Sequence, residues 1–525
     1  MARGPFTETD VGVSVVGTLR KWLRPSLGDV VLAAIAGQLF YIGRGWSALL
    51  ADGDTGWHIR TGEWILRNHS VPTTDLFSFS KPGAPWFAWE WLSDVLMALV
   101  YQQWSLAGVS ALGGCVILLS LMILFRHMLW HGANVVVVFA VLLFVVGASS
   151  VHYLARPHVF TLLLMAMSLW LVERDRRQRG KAIWLLVPLS AVWVNLHGGF
   201  LALPASLAAL AAGFGIEGWM DKTQSPLRWA ASRRYAALAA GTAGATILNP
   251  YGIKLHLHVA RYLSSDWIRN RIVEFQAPDF RSESLLRFEV LLFAALLLGG
   301  WLLARRRVAD ALLLVLWGHM ALMSVRHVPV FALVCAPVVA VELSRLWAGW
   351  VVRHSPHSPW SIVWTIASEM GPSFRRFSLW ALAVAGAVWL LTPAASRPKD
   401  FPESSFPVSM VQKESTRIIS ARVFTTDQWG DYLIYRGWPS QKVFIDGRSD
   451  FYGRALGDDY LALMNGRRGW ENLFRKYDFT IALIPLHWPL VALLDRDQSW
   501  RKVREDKLGV LFERIESPTP HLAGE

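Results

Sequence analysis

Asp52, Asp54 and His58 follow directly on the first long apolar stretch of the chain. Ionisable groups beside hydrocarbon are costly unless they face water, a partner or a substrate. Asp54 and His58 are four apart, so a helix would set them on one face. A carboxylate base and a neighbouring donor or metal ligand could work together there; a capping aspartate beside an interfacial His and Trp would give the same pattern. Arg156-Pro-His158 and Arg326-His327 each join a guanidinium to an imidazole. The first grips phosphate bidentately and the second can donate to it, while a snorkelling arginine is the structural alternative. Asn195-Leu-His197-Gly-Gly interrupts an apolar run. Its glycines permit a tight turn, and Asn195 and His197 could bond a sugar hydroxyl or a phosphate. Asn249-Pro-Tyr-Gly252 is a strong turn signal, with Asn249 as a further binding candidate and Glu274 another in the segment that follows.

These groups need elements to position them. The chain has 525 residues, 53% of them hydrophobic and only 17% charged, against about 25% charged in soluble domains. A helix needs about 20 apolar residues to cross a bilayer. Spans are expected near 29–50, 105–125, 133–150, 159–173, 182–196, 199–217, 235–249, 288–304, 309–325, 328–346 and 377–395, eleven in all. Lys and Arg then fall on one side. Arg20, Lys21 and Arg24 precede the first span; Arg174 to Lys181, then Lys222, Arg228, Arg233 and Arg234, then Arg305 to Arg307 fill three loops. Arg345, Arg353, Arg375 and Arg376 flank the segment before the last span. That bias makes this side cytoplasmic and assigns the net charge of +13 to membrane topology rather than to nucleic acid. Every polar cluster named above falls on the other side, which suggests an extracytoplasmic active site in a multi-pass membrane protein. The 28 tryptophans suit membrane interfaces. The first apolar stretch lacks a small-residue cleavage exit and reads as a span, not a cleaved signal.

The expected organisation is a cytoplasmic N-terminus (1–28), an α-helical transmembrane domain (29–395) with a large outer loop (51–104), and a small soluble extracytoplasmic α/β domain (396–525). In the loop, the stretches around Trp64 and Trp91 read as interfacial amphipathic helices. In the tail, runs at Val423, Lys442 and Thr480 read as strands, and Gln428–Tyr435, Asp459–Met464 and Trp470–Tyr477 as helices. Pro393–Pro407 is the linker. Asp427-Gln-Trp-Gly-Asp431 and Asp446-Gly-Arg448-Ser-Asp450 are polar turns at strand ends, where α/β domains commonly bind ligands. Cys115 and Cys335 lie in apolar stretches and form no readable framework. Walker A, CxxC and HExxH patterns are missing, which argues against an ATP-driven pump and a zinc protease.

The run Asp54-Thr-Gly-Trp-His58-Ile-Arg-Thr-Gly-Glu63-Trp-Ile-Leu66, continued by Val71-Pro-Thr-Thr-Asp75-Leu-Phe-Ser-Phe-Ser80, resembles the first outer loop of GT-C membrane glycosyltransferases. Glu90-Trp-Leu92, Trp429-Gly-Asp-Tyr-Leu433 and Phe444-Ile-Asp-Gly-Arg448 are similar to bacterial members of that superfamily, of the dolichyl-phosphate-mannose mannosyltransferase type. The resemblance implies a hexosyltransferase that takes a sugar from a polyprenyl-phosphate carrier to a glycan, lipid or protein acceptor outside the cytoplasm. It implies an acidic catalytic base in the first outer loop, carried over to Asp54 with Asp52 as the fallback and His58 beside them. Chemistry and topology, not motif, nominate Arg156, His158, Arg326 and His327 to stabilise the leaving lipid phosphate. Some relatives use a divalent metal. No clear ligand set is legible here, so the metal stays open and no cofactor is certain. Two other classes compete: a transporter or flippase of a lipid-linked glycan, which should carry charge near the midplane, and a non-catalytic protein whose tail binds envelope glycan.

Overall fold

The computed structural model describes residues 24–40, 45–375, 378, 380–391, 393 and 397–515. Arg20, Lys21 and Arg376, and most of the expected N-terminal segment, lie outside the described residues.

Long apolar runs form a helical body. Its helices are α1 (Leu27–Phe40), α2 (Asp54–Asn68), α3 (Trp91–Trp130), α4 (Val135–Ser149), α5 (His158–Arg177), α6 (Leu186–Leu196), α7 (Ala202–Met220), α8 (Ser225–Ala245), α9 (Ile253–Ser264), α10 (Asp266–Arg271), α11 (Glu283–Ala304), α12 (Val308–Met323), α13 (Val328–Val352), α14 (Pro359–Arg375) and α15 (Trp380–Leu391). Five helical segments among the described residues are long and apolar enough to cross a membrane: Trp91–Trp130, Val135–His152, Gly198–Met220, Glu283–Ala304 and Val325–Val352. Leu27–Gln38, Lys181–Leu196 and Val308–Met323 are shorter apolar helices. The expected span 29–50 is not one helix: α1 ends at Phe40 and a separate 3-10 turn covers Gly45–Leu50. α3 is two helices in series. Trp104 and Ser105 leave helical geometry, with Ser105 at φ 53°, so 91–103 forms an outer-loop helix and 106–130 the apolar one.

Apolar burial does little to hold helices together in lipid, so close packing and polar contacts must do more. Both occur. A methyl group on Gly213 of α7 would overlap the backbone of Ala309 on α12, so only glycine lets these two helices meet. At one end of the body, Arg176 of α5 pairs with Asp310 of α12 (2.7 Å), Arg345 of α13 with Glu342 (2.6 Å), and Arg234 of α8 with Asp175 of α5 (2.7 Å). Arg307 reaches both Asp310 and Glu342. All of these are arginines of the expected cytoplasmic loops.

The tail folds into a four-stranded sheet with helices: α16 (Val408–Lys413), α17 (Ser415–Ile418), β1 (Val423–Phe424), α18 (Asp427–Gly437), α19 (Ser449–Met464), α20 (Trp470–Lys476), β2 (Ile481–Pro485), α21 (Pro489–Leu494), β3 (Trp500–Glu505) and β4 (Gly509–Arg514). The order is β1-β2-β4-β3, with β1 and β2 parallel and the other pairs antiparallel. The chain is thus an α-helical, membrane-type body with a small C-terminal α/β domain. One tail expectation needs correction, and one element was missed. The run from Lys442 is not a strand of this sheet: Val443 exchanges backbone hydrogen bonds with Phe77 and Phe79 of the outer loop (3.0 and 2.9 Å). Its edge therefore docks the domain on the body. The β3–β4 hairpin was not foreseen, because Trp500–Glu505 is mostly charged and its face is largely exposed.

Candidate active site

Asp54 opens α2, and Asp52 stabilises that start by accepting the Asp54 backbone N–H at 2.9 Å. Thr55 donates to the Ala155 carbonyl at 3.1 Å, which brings the following residue, Arg156, over the helix terminus. Arg156 then pairs with Asp54 (2.5 Å), Asp52 (2.8 Å) and Glu274 (2.9 Å). Glu274 arrives through a second backbone link. Ser324 donates to its carbonyl at 2.7 Å, and Val325 N–H to the Gln276 carbonyl at 2.9 Å. The same link sets Arg326 over the Phe275 ring, 4.4 Å from its centroid. Among the described residues no carboxylate lies within ion-pair distance of Arg326.

Asp52, Asp54, Arg156, Glu274 and Arg326 line one cavity of about 610 Å³. It also takes in His58, His158, His197 and His327, and it has aromatic walls that include Trp57, Trp86, Trp89, Tyr262 and Trp317. The N-termini of α5 and α13, the C-terminal half of α12 and the turn before α7 form its base. The arginine network occupies the other ends of those same helices. Since α5 alone is about 30 Å long at 1.5 Å per residue, the two polar systems are separated by the thickness of an apolar layer.

Two sequence candidates are elsewhere. Asn195 accepts from Trp91 (2.7 Å) and donates to the Leu248 carbonyl (2.9 Å), tying α6 to α3 and to the turn after α8. Asn249 accepts from Tyr251 N–H (2.9 Å) and donates to the Thr246 and Gly252 carbonyls (2.9 and 3.1 Å). Both amides are consumed by local structure, and neither lines the cavity.

The sequence reading did not select Glu90 or Asp94, although they form an acidic pair one turn apart at the start of the outer-loop helix. Asp94 meets His58 Nδ1 at 2.6 Å. Glu90 faces His58 Nε2 at 3.6 Å and His197 Nε2 at 3.5 Å. His197 Nδ1 accepts from Gly199 N–H (3.0 Å) and meets the Thr161 hydroxyl (2.7 Å), which itself accepts from Trp193 (2.9 Å). That chain leaves the ring proton on Nε2, pointing at Glu90.

The C-terminal domain forms the remaining wall through Asp427, Gln428, Gly447, Arg448, Ser449 and Asp450. The polar turns at its strand ends were the signal. Gln428 accepts from Gly53 N–H at 2.7 Å. Asp450 meets His258 at 2.9 Å. Arg448 is buried between Asp446 (2.7 Å) and Asp75 of the outer loop (2.8 Å), with its guanidinium 4.6 Å from the Trp86 centroid. Any side chain at Gly447 would overlap Asp54 Oδ1, so glycine there lets the domain close onto the base of the cavity. Asp431 accepts from Gly447 N–H at 2.9 Å and stands on the same side.

The electrostatics follow from many carboxylates around few cations. Burial raises the Asp54 carboxyl to about 7, against the pull of Arg156 and with help from Asp52 and Glu274. Burial raises Glu90 to about 7 as well. Asp431 is pushed well above the carboxylate range by burial and then by Asp54. Glu274 moves the other way, because Arg156 and Arg326 outweigh its burial. Burial and Arg156 keep His58 well below its usual range, and burial, His158 and Arg326 do the same to His197, so both are neutral near pH 7. A buried carboxyl that ionises near neutrality is suited to act as a general base. The oxygen Asp54 Oδ1 has no hydrogen-bond partner among the described residues. The three carboxylates that converge do so on a guanidinium, and among the described residues no group of three or more His, Cys, Asp or Glu could hold a metal.

No family model and no curated protein matches the chain. Its fold is similar to the crystal structure of ArnT from Cupriavidus metallidurans bound to undecaprenyl phosphate, at 12% identity and a TM-score of 0.46 over 93% of this chain and 98% of that one. It is also similar to ArnT from the same organism in the apo state, at 13% identity and a TM-score of 0.48 over 93% and 97%.

Proposed function

We propose that this chain is a GT-C-type membrane glycosyltransferase that moves a hexosyl group from a polyprenyl-phosphate carrier to an extracytoplasmic acceptor. The observation that carries this reading is the presence, in one cavity at one end of the helical body, of both the buried Asp54 and Arg326, which makes no ion pair among the described residues. An acid near its titration point, in one cavity with a guanidinium that no carboxylate contacts within ion-pair distance, suits a displacement that releases a proton on one side and a phosphate on the other. The acceptor hydroxyl oxygen attacks the anomeric carbon, and its proton passes to Asp54. The bond from the anomeric carbon to the phosphate oxygen breaks, and the lipid phosphate leaves with the electron pair. Direct displacement inverts the anomeric centre. Arg326 takes up the charge that develops on the phosphate, and such preorganised charge is often the largest catalytic term. Arg156 fixes the direction of Asp54, and the aromatic walls receive the sugar and the lipid end. By the positive-inside bias, the arginine network faces the cytoplasm and the cavity with the C-terminal domain faces outward.

The polar groups gather at one end of apolar helices rather than at mid-depth, which favours this reading over a transporter. The test is release of polyprenyl phosphate by the purified protein in lipid nanodiscs, from a panel of polyprenyl-phosphate hexoses and pentoses with envelope extract as acceptor. Release dependent on extract, with the sugar recovered on a new acceptor, is the expected result. Vectorial movement of intact donor across sealed vesicles without release would replace this reading with a flippase.

A further inference from the structure

At the end of the body opposite Asp54, parts of α5, α7 and α8 enclose a second cavity of about 360 Å³. Four arginines line it against two carboxylates, Glu173 and Asp175. Both carboxylates are already engaged. Glu173 meets His131 at 2.9 Å and Arg177 at 2.8 Å, and Asp175 holds Arg234 at 2.7 Å. Arg176 is held by Asp310. Two guanidiniums keep donors to spare. Arg228 gives one nitrogen to Glu217 at 3.0 Å, and Arg179 is exposed and among the described residues reaches the Leu227 carbonyl alone, at 3.5 Å. Exposed apolar side chains flank the same segment: Leu227 is 63% exposed, Trp229 44% and Trp219 71%. A phosphate matches two guanidinium forks, and apolar side chains beside it match acyl chains rather than water. Basic pockets between membrane helices recognise lipid headgroups on this physical basis.

We propose that this cavity binds the phosphate headgroup of an anionic membrane phospholipid, with Arg179 and Arg228 as its donors and Leu227 and Trp229 against its chains. The site is independent of the donor cavity.

The experiment titrates full-length protein in zwitterionic detergent with short-chain phosphatidylglycerol, by calorimetry. The parent is compared with Arg179→Gln/Arg228→Gln and with Arg326→Gln in the other cavity. Saturable binding that the double substitution weakens by about tenfold or more, and that Arg326→Gln leaves unchanged, is the expected result. Inorganic phosphate, titrated alone, should bind far more weakly than the lipid. Equal affinity in parent and double variant, loss through Arg326→Gln instead, or inorganic phosphate binding as tightly as the lipid would each overturn the proposal. Elution volume and lipid-free Tm check the fold. If the double variant fails that check, Arg179→Gln alone, at an exposed position, must reproduce the weakening.

Discussion

Asp54 Oδ2 lies 2.5 Å from Arg156, while a side chain at Gly447 on its other side would meet both Asp54 Oδ1 and Asp431. One carboxyl thus has a guanidinium on one flank and a second acid near the other, and burial raises its titration to about 7.

This sets a pH dependence. A base works only when ionised, and the Asp54 midpoint is raised, so activity should be lost as pH falls below about 7 and level off above it. The profile of kcat/KM should show one ascending limb there. Glu90 titrates in the same range, so the assignment is checked by Glu90→Gln, which should keep the limb.

Arg326 stacks on Phe275 and makes no ion pair among the described residues. Arg326→Gln therefore should not destabilise the fold, but should slow turnover by roughly 10²–10³, the usual cost of removing one charge-stabilising donor. Single-turnover kinetics on the parent's best donor, with Tm measured alongside, separates the two effects.

Arg448 joins the tail to the outer loop through a buried triad with Asp446 and Asp75, all about fully enclosed. Arg448→Met leaves two buried acids without their cation, at a cost of about 3–5 kcal/mol. Limited proteolysis should then cut the C-terminal domain in the variant under conditions that spare the parent. Asp75→Asn keeps the Asp446 pair and should show the weaker effect.

The membrane body and the end at which its polar groups gather were legible because hydropathy and Arg placement act locally along the chain. Asp54, Arg156 and Arg326 could be placed on one side for that reason. Their contacts could not, since Arg156 reaches Asp54 through the Thr55–Ala155 link and Arg326 through the 274–276 turn. Asn195 and Asn249 look like binding groups in sequence, but amides serve packing and turns equally well, and here Asn195 ties helices together while Asn249 closes its own turn. Glu90 was quoted only within a motif, and its proximity to His58 and His197 arises from packing. The Val443 run has strand character, yet its partner is the loop at Phe77, which no tail-only pattern reveals.

The most direct measurement compares sugar transfer by Asp54→Asn and by the parent, in nanodiscs at pH 8, with Asp52→Asn beside them. Asn keeps the shape, and Arg156 retains Asp52 and Glu274 as partners, so the variant should fold with the parent's elution volume. The account predicts that transfer falls by roughly 10²–10⁴ in Asp54→Asn and much less in Asp52→Asn. Transfer at the parent's rate in a folded Asp54→Asn variant would contradict it.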